Sequence, residues 1–228
     1  MALTISVIIP TYNESAQVRT AVTGARRLAD EVIVADGGST DATCELASDA
    51  GAMVVTSSKG RGSQLAAGAL VASGDVLLFL HADVAMPSEG RDAILRVLES
   101  ESTVGGNFAL RFVPETRAAK FFTWANHVRR EWLTIYYGDS AIFVRRDAYL
   151  AIGGFAPIPL FEDFHLVQRL ERYGRTAYVR NVVVEASARR FERAPARTLV
   201  LWSALQAMYS AGVPASRLAK FYRDFRSS

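Results

Sequence analysis

Cysteine is nearly absent from the 228 residues: Cys44 stands alone, which excludes an intrachain disulfide and a CxxC zinc site and fits a reducing, cytoplasmic setting. Histidine is almost as scarce. His81, His127 and His165 are too scattered to form a histidine metal cluster, and neither His127 nor His165 has a partner at metal-ligand spacing. Lysine occurs only at Lys59, Lys120 and Lys220, so the basic residues are nearly all arginine, a bias that suits phosphate but that a G+C-rich genome would also produce. No run approaches the ~18 apolar residues of a membrane-spanning helix. Met1 leads straight into a strand-like segment without a basic n-region or cleavage site, so export is not expected. Basic residues form no stripe interleaved with aromatic ones, which leaves out a nucleic-acid module and keeps a nucleotide ligand open.

What is present is a globular composition, 50% hydrophobic and 21% charged, in a chain long enough for one large domain. Its organising stretch is Leu77-Leu78-Phe79-Leu80-His81-Ala82-Asp83, an apolar run ending in a histidine and a carboxylate. The run has the length of a strand buried on both faces. Ligands of open α/β sheets bind at the carboxyl ends of such strands, which puts His81 and Asp83 at the mouth of a crevice.

The remaining elements are arranged around that strand. Ile5 to Ile9 is a β-branched run stopped by Pro10 and followed by the loop Thr11-Tyr12-Asn13-Glu14-Ser15. A helix over 16–29 leads to a second strand at 31–35. Asp36-Gly37-Gly38-Ser39-Thr40-Asp41 follows, with Ser39 or Thr40 expected to cap a helix over 41–50. A strand at 52–55, a loop carrying Gly60-Arg61-Gly62 and a helix to Ser73 complete an alternation that predicts a parallel sheet with right-handed crossovers. The dinucleotide fingerprint fails, because Leu65 stands where its third glycine belongs, and there is no Walker loop.

The second half predicts a helix over 88–101, a strand over 104–113, an aromatic and basic helix over 117–133, a strand over 141–144, a last strand near 177–184 and helices near 196–211 and 215–226. Gly138-Asp139 precede one of these strands. Glu162 and Asp163 open a helix, where the dipole is expected to hold both as anions.

Four landmarks, Ile8-Ile9-Pro10-Thr11-Tyr12-Asn13-Glu14, Val34 to Asp41, Leu80-His81-Ala82-Asp83 and Phe161-Glu162-Asp163, together resemble glycosyltransferase family 2, the inverting GT-A enzymes that use nucleotide-diphosphate sugars. The chain is similar throughout to a small soluble bacterial subgroup labelled arsenosugar-biosynthesis-type glycosyltransferases. This resemblance implies a mostly parallel α/β sheet of GT-A type in one domain over 1–228. Residues 1–113 would hold the nucleotide sugar, and 114–228 the acceptor and the catalytic base. Pro10, Thr11, Tyr12, Asn13, Glu14, Asp36, Gly37, Arg61, Ala82 and Asp83 would face the nucleotide. Gly138, Asp139, Arg189 and Arg190 would face the donor sugar, diphosphate or acceptor.

The resemblance further implies Mn²⁺ or Mg²⁺, and here the chain departs from the family's Asp-x-Asp. His81-Ala82-Asp83 leaves Asp83 as the metal ligand, with His81 either a second ligand or a contact to ribose or phosphate. Asp163 would be the general base, with Glu162 beside it. The donor is expected to be UDP-linked and the acceptor a hydroxyl. Two alternatives stay open: transfer to a polyprenyl phosphate at the inner membrane surface, and a nucleotide-binding protein that has lost transfer. The helices over 117–133 and 196–211 carry the tryptophan and arginine that the membrane version needs. The same residues also suit a core face or a homodimer contact.

Overall fold

The computed structural model describes residues 3–188 and 194–227. Its strands are β1 (Ile5–Thr11), β2 (Glu31–Asp36), β3 (Met53–Thr56), β4 (Val76–Phe79), β5 (Val84–Ala85), β6 (Thr103–Val113), β7 (Ile142–Arg145) and β8 (Arg175–Ser187). They form one eight-stranded sheet in the order β3-β2-β1-β4-β7-β6-β8-β5. The first four strands run parallel, as their crossover helices demand. Then β7 enters antiparallel between β4 and β6, and β8 pairs parallel with β6 and antiparallel with the two-residue β5.

The helices are α1 (Val18–Ala25), α2 (Thr43–Asp49), α3 (Arg61–Val71), α4 (Gly90–Val97), α5 (Arg117–Leu133), α6 (Arg146–Ala151), α7 (Glu162–Tyr173), α8 (Pro195–Ser210) and α9 (Ala215–Ser227). α1, α2 and α4 are shorter than their periodicity predicts. β5, α6 and a 3₁₀ turn at Gly138–Ser140 had no sequence pattern, since two to six residues are too few for a period to show.

Both faces of the sheet are covered. Ile5, Val7, Ile9, Val34 and Leu78 pack on one side with Val18 and Val22 of α1 and Ile94 of α4. Ile8, Ile33, Leu77 and Phe79 pack on the other with Leu65 of α3 and Leu166 and Leu170 of α7. Burial on both faces is why β1 and β4 read as unbroken apolar runs rather than alternating ones. Pro10 lies near the end of β1, past the last β1–β4 register pair of Ile8 with Phe79, so its missing N–H interrupts none of the paired positions between those strands.

A third, smaller core joins Phe161 and Phe164 to Leu201 and Leu205 of α8 and Leu218 of α9. Phe161 is held there in the left-handed region at φ 64, with its ring against Tyr209 (4.9 Å) and edge-on to Trp202 (6.1 Å). A bulky residue adopts that conformation only when its surroundings enforce it. The C-terminal helices thereby fix the residue that presents Glu162 and Asp163.

Candidate active site

The carboxyl ends of β1, β2 and β4 converge, and the loops leaving them are laced together. Thr11 lies in register with Asp36, and its hydroxyl donates to the Asp36 carboxylate at 3.1 Å. That carboxylate also accepts from the Gly38 and Ser39 amides (2.9 and 2.7 Å) and the Ser39 hydroxyl (2.5 Å). Burial opposes the charge, but these four donors outweigh it and hold the Asp36 carboxyl below the usual range. Ser39 is therefore an Asp36 partner and not the expected helix cap. Thr40 does not cap either: its amide donates to Asn13 Oδ1 at 2.9 Å, and it is Asp41 that accepts from the Thr43 amide (3.1 Å) at the start of α2.

Asn13, left-handed at φ 54, and Glu14 tie the first loop to the second, through Ser39 Oγ and Thr43 Oγ1, each at 2.8 Å. Behind them buried Gln64 donates from Nε2 to the carbonyls of Thr11 (2.5 Å) and Ala35 (3.2 Å), joining α3 to both strand ends. A Cβ on Gly37 would come within 3.1 Å of that amide. Tyr12 is partly exposed, with Lys59 Nζ 3.6 Å over its ring. Pro10, Thr11, Tyr12, Asn13, Glu14, Asp36 and Gly37 thus form one continuous rim.

Beside this rim opens a cavity of about 390 Å³ whose polar end gathers Arg61, His81, Asp83, Asp139, Glu162 and Asp163. Ala82, half-buried, lies in the turn between His81 and Asp83. Asp163 is 7% exposed, and each carboxylate oxygen is fixed by one backbone amide: Oδ2 by Gly138 (2.8 Å), Oδ1 by Phe164 (2.7 Å). A second lone pair on each oxygen is left for another donor. Gly138 has to be glycine for this. A Cβ there would stand 2.7 Å from His81 Nε2 and 3.5 Å from Asp163 Oδ2, so His81 reaches across to the Asp163 side.

Arg61 lies at the centre of the charge. It pairs with Glu162 (3.4 Å) and feels the carboxylates of Asp163, Asp139 and Asp83. The expectation that the helix dipole keeps both Glu162 and Asp163 ionised is corrected for Glu162. Its carboxyl is pushed up to about 7 by burial first and by Asp163 second, against the opposing pull of Arg61. Desolvation of a side chain only 5% exposed outweighs a dipole effect of about 0.3–1 kcal/mol. Glu14 is also raised, by burial and then by Asp83 and Asp41, which brings the first loop electrostatically close to Asp83.

Among the described residues no three His, Cys, Asp or Glu side chains gather as a self-sufficient metal site. Asp83 and His81 lie together in the cavity wall, and hard divalent ions take carboxylate oxygens while completing their shell with substrate phosphates and water. The donor set fits such an ion only when a diphosphate is bound as well. Arg189 and Arg190 lie outside the described residues. Sequence reading did not find the cavity's apolar end, which includes Phe112, Phe122, Leu133, Leu160, Leu199 and Trp202 from four separated stretches. The amphipathic period of α5 was the available signal, and it does not say what the helix faces.

The parallel strands with a cavity at their carboxyl ends, and the mixed sheet extending past it, form a fold of the GT-A class. The family model for glycosyl transferase family 2 matches residues 6–158, and the chain belongs to that family. Glu162 and Asp163 lie just beyond the matched stretch. An uncharacterized glycosyltransferase of Rickettsia bellii is 34% identical over 99 residues, a stretch spanning 43% of this chain and only 34% of that relative. Among solved structures, glucosyl-3-phosphoglycerate synthase of Mycobacterium tuberculosis with Mn²⁺, uridine diphosphate and phosphoglyceric acid is 22% identical, with TM-score 0.66 over 93% of this chain and 80% of that one. The same enzyme with Mg²⁺ and uridine diphosphate gives TM-score 0.63 at 22% identity, again over 93% and 80%. At such identity the likeness carries the fold.

Proposed function

We propose that this chain transfers a sugar, with inversion, from a nucleotide-diphosphate sugar to an acceptor hydroxyl, with Asp163 as general base. The observation that carries this is Asp163 itself: a buried carboxylate, oriented by two backbone amides, with a free lone pair on each oxygen at the floor of a cavity. In a single displacement the acceptor hydroxyl gives its proton to Asp163 as its oxygen attacks the anomeric carbon. The bond to the diphosphate breaks on the opposite face through an oxocarbenium-like state.

Each neighbour has a role. Arg61 offers its guanidinium to the departing diphosphate, and Glu162 anchors that guanidinium at 3.4 Å. Asp83, with His81 beside it, would hold Mn²⁺ or Mg²⁺ against the diphosphate, and the ion would neutralise leaving-group charge. The rim from Pro10 to Glu14, with Asp36 and Gly37, would receive the nucleoside, and Gly138 and Asp139 the transferred sugar. Uridine is the base favoured by the bound nucleotide of the mycobacterial synthase.

Thermal stability against UDP, GDP, CDP and TDP, each with and without Mn²⁺ or Mg²⁺, tests the donor assignment. A ligand at a hundred times its Kd stabilises by roughly 2.7 kcal/mol, a rise of several degrees. A metal-dependent rise for one nucleotide is expected. No rise for any of them in a folded sample would overturn the transferase reading. A rise without detectable sugar transfer would favour the binding protein without transfer, and turnover that Asp163→Asn leaves unchanged would remove Asp163 as the base.

A further inference from the structure

α5 carries two stripes side by side, and among the described residues one of them has no partner that explains it. Phe122, Ala125, Asn126, Arg129 and Leu133 face the catalytic cavity. About 100° around the helix, Phe121, Trp124 and Trp132 fall on a second stripe with Arg117 at its start, and these three rings are 43%, 59% and 80% exposed. A solvated helix face does not carry two exposed tryptophans.

The stripe is continuous with the cavity. Leu133 lines the cavity and is 61% exposed, so the cavity reaches the surface next to Trp132. α8 also runs from cavity to surface: Leu199 lines the cavity and its neighbour Val200 is 68% exposed. Charge marks the same region. Residues 194–222 hold Arg197, Arg217 and Lys220 and no Asp or Glu, an excess of three that equals the excess of the whole chain.

We propose that the face formed by α5 and α8 docks on an anionic bilayer, and that the acceptor is an amphiphile drawn from it, its apolar body in the cavity's apolar end and its hydroxyl at Asp163. This rests on the transferase reading above. Tryptophan rings with arginine beside them suit the headgroup boundary, and a basic segment adds attraction to anionic lipid. A second copy of the chain on this face would cover the opening through which an acceptor enters. A compact polyanionic acceptor would leave the apolar end unused and would meet the carboxylates of Glu162, Asp163, Asp139 and Asp83 beside Arg61.

The test is flotation of the full chain with vesicles of phosphatidylcholine alone and with added phosphatidylglycerol, alongside the double variant Trp124→Ser/Trp132→Ser. Both positions are exposed, and the metal-dependent nucleotide stabilisation, measured on both proteins, reports an intact donor site. Expected are binding to the anionic vesicles only, weakening as salt rises, a blue-shifted tryptophan emission, and roughly tenfold weaker binding of the variant with its nucleotide response unchanged. A chain that stays unbound with anionic vesicles overturns the proposal, as does binding that the variant retains in full. A concentration-dependent dimer that the variant abolishes, without lipid binding, also overturns it and assigns the face to a second copy. Lipid binding without any nucleotide response upholds the docking face and removes only the transferase reading.

Discussion

Replacing Glu162 by glutamine should flatten the pH dependence of stability. The folded chain holds the Glu162 proton up to about 7, whereas a solvated glutamate releases it near its ordinary 4.5. Between those values the folded state binds more protons than the unfolded one, so stability is fullest below 4.5 and falls as pH rises through 7. One proton is worth about 1.4 kcal/mol per pH unit, and the whole window is worth on the order of 3 kcal/mol. For a chain of this size that is a fall in Tm of roughly 6–10 °C between about pH 5 and about pH 8. Glutamine keeps the shape and an acceptor oxygen for Arg61 while removing the charge that crowds Asp163, so Glu162→Gln should lose most of that fall. Calorimetric Tm against pH for the two proteins is the assay, and taking their difference removes every other titrating group. Parallel curves would refute the reasoning, because Glu162 would then be ionised in the fold despite its burial.

Asp163→Asn should lower kcat by roughly 10²–10⁴ in a sugar-transfer assay while nucleotide-dependent stabilisation persists, since the amide keeps the shape and loses the base. Asp36→Asn should cost about 2–3 kcal/mol in urea unfolding above pH 4, because an NH₂ would face donors that now meet a carboxylate; the cost should shrink as pH falls through the lowered pKa of Asp36. Gly62→Ala would put a Cβ 2.5 Å from the Ala156 carbonyl oxygen and 3.2 Å from Glu162 Cβ. It should destabilise by about 1–3 kcal/mol and weaken donor binding by displacing Arg61 from Glu162, which unfolding and nucleotide titration would report. Chelation of divalent metal should abolish the stabilisation by nucleotide without lowering the Tm of the unliganded chain.

The rim, the strand end and the acidic pair were legible in the sequence because each is local. A β-branched run, a Gly-Gly after an aspartate and two carboxylates opening a helix announce themselves within seven residues of chain. The parallel half of the sheet was legible for the same reason, from a period that switches between strand and helix. Three things were not. The antiparallel insertion of β7 between β4 and β6 pairs Leu77 with Val144 and Gly105 with Val144, contacts between stretches dozens of residues apart that have no local signature. The protonation of Glu162 depends on how deeply α7 is buried and on Arg61 arriving from α3. The left-handed Phe161 and the two-amide cradle of Asp163 exist only because the C-terminal helices and the turn at Gly138 close around them.

The sequence by itself therefore determined which residues could do chemistry, since side-chain type and local backbone preference are properties of the residue and its neighbours. Tertiary structure alone decided which of them share one cavity, which carboxyl keeps its proton there, and that α5 reaches the surface at the edge of that cavity, since burial and long-range pairing arise only when distant segments pack.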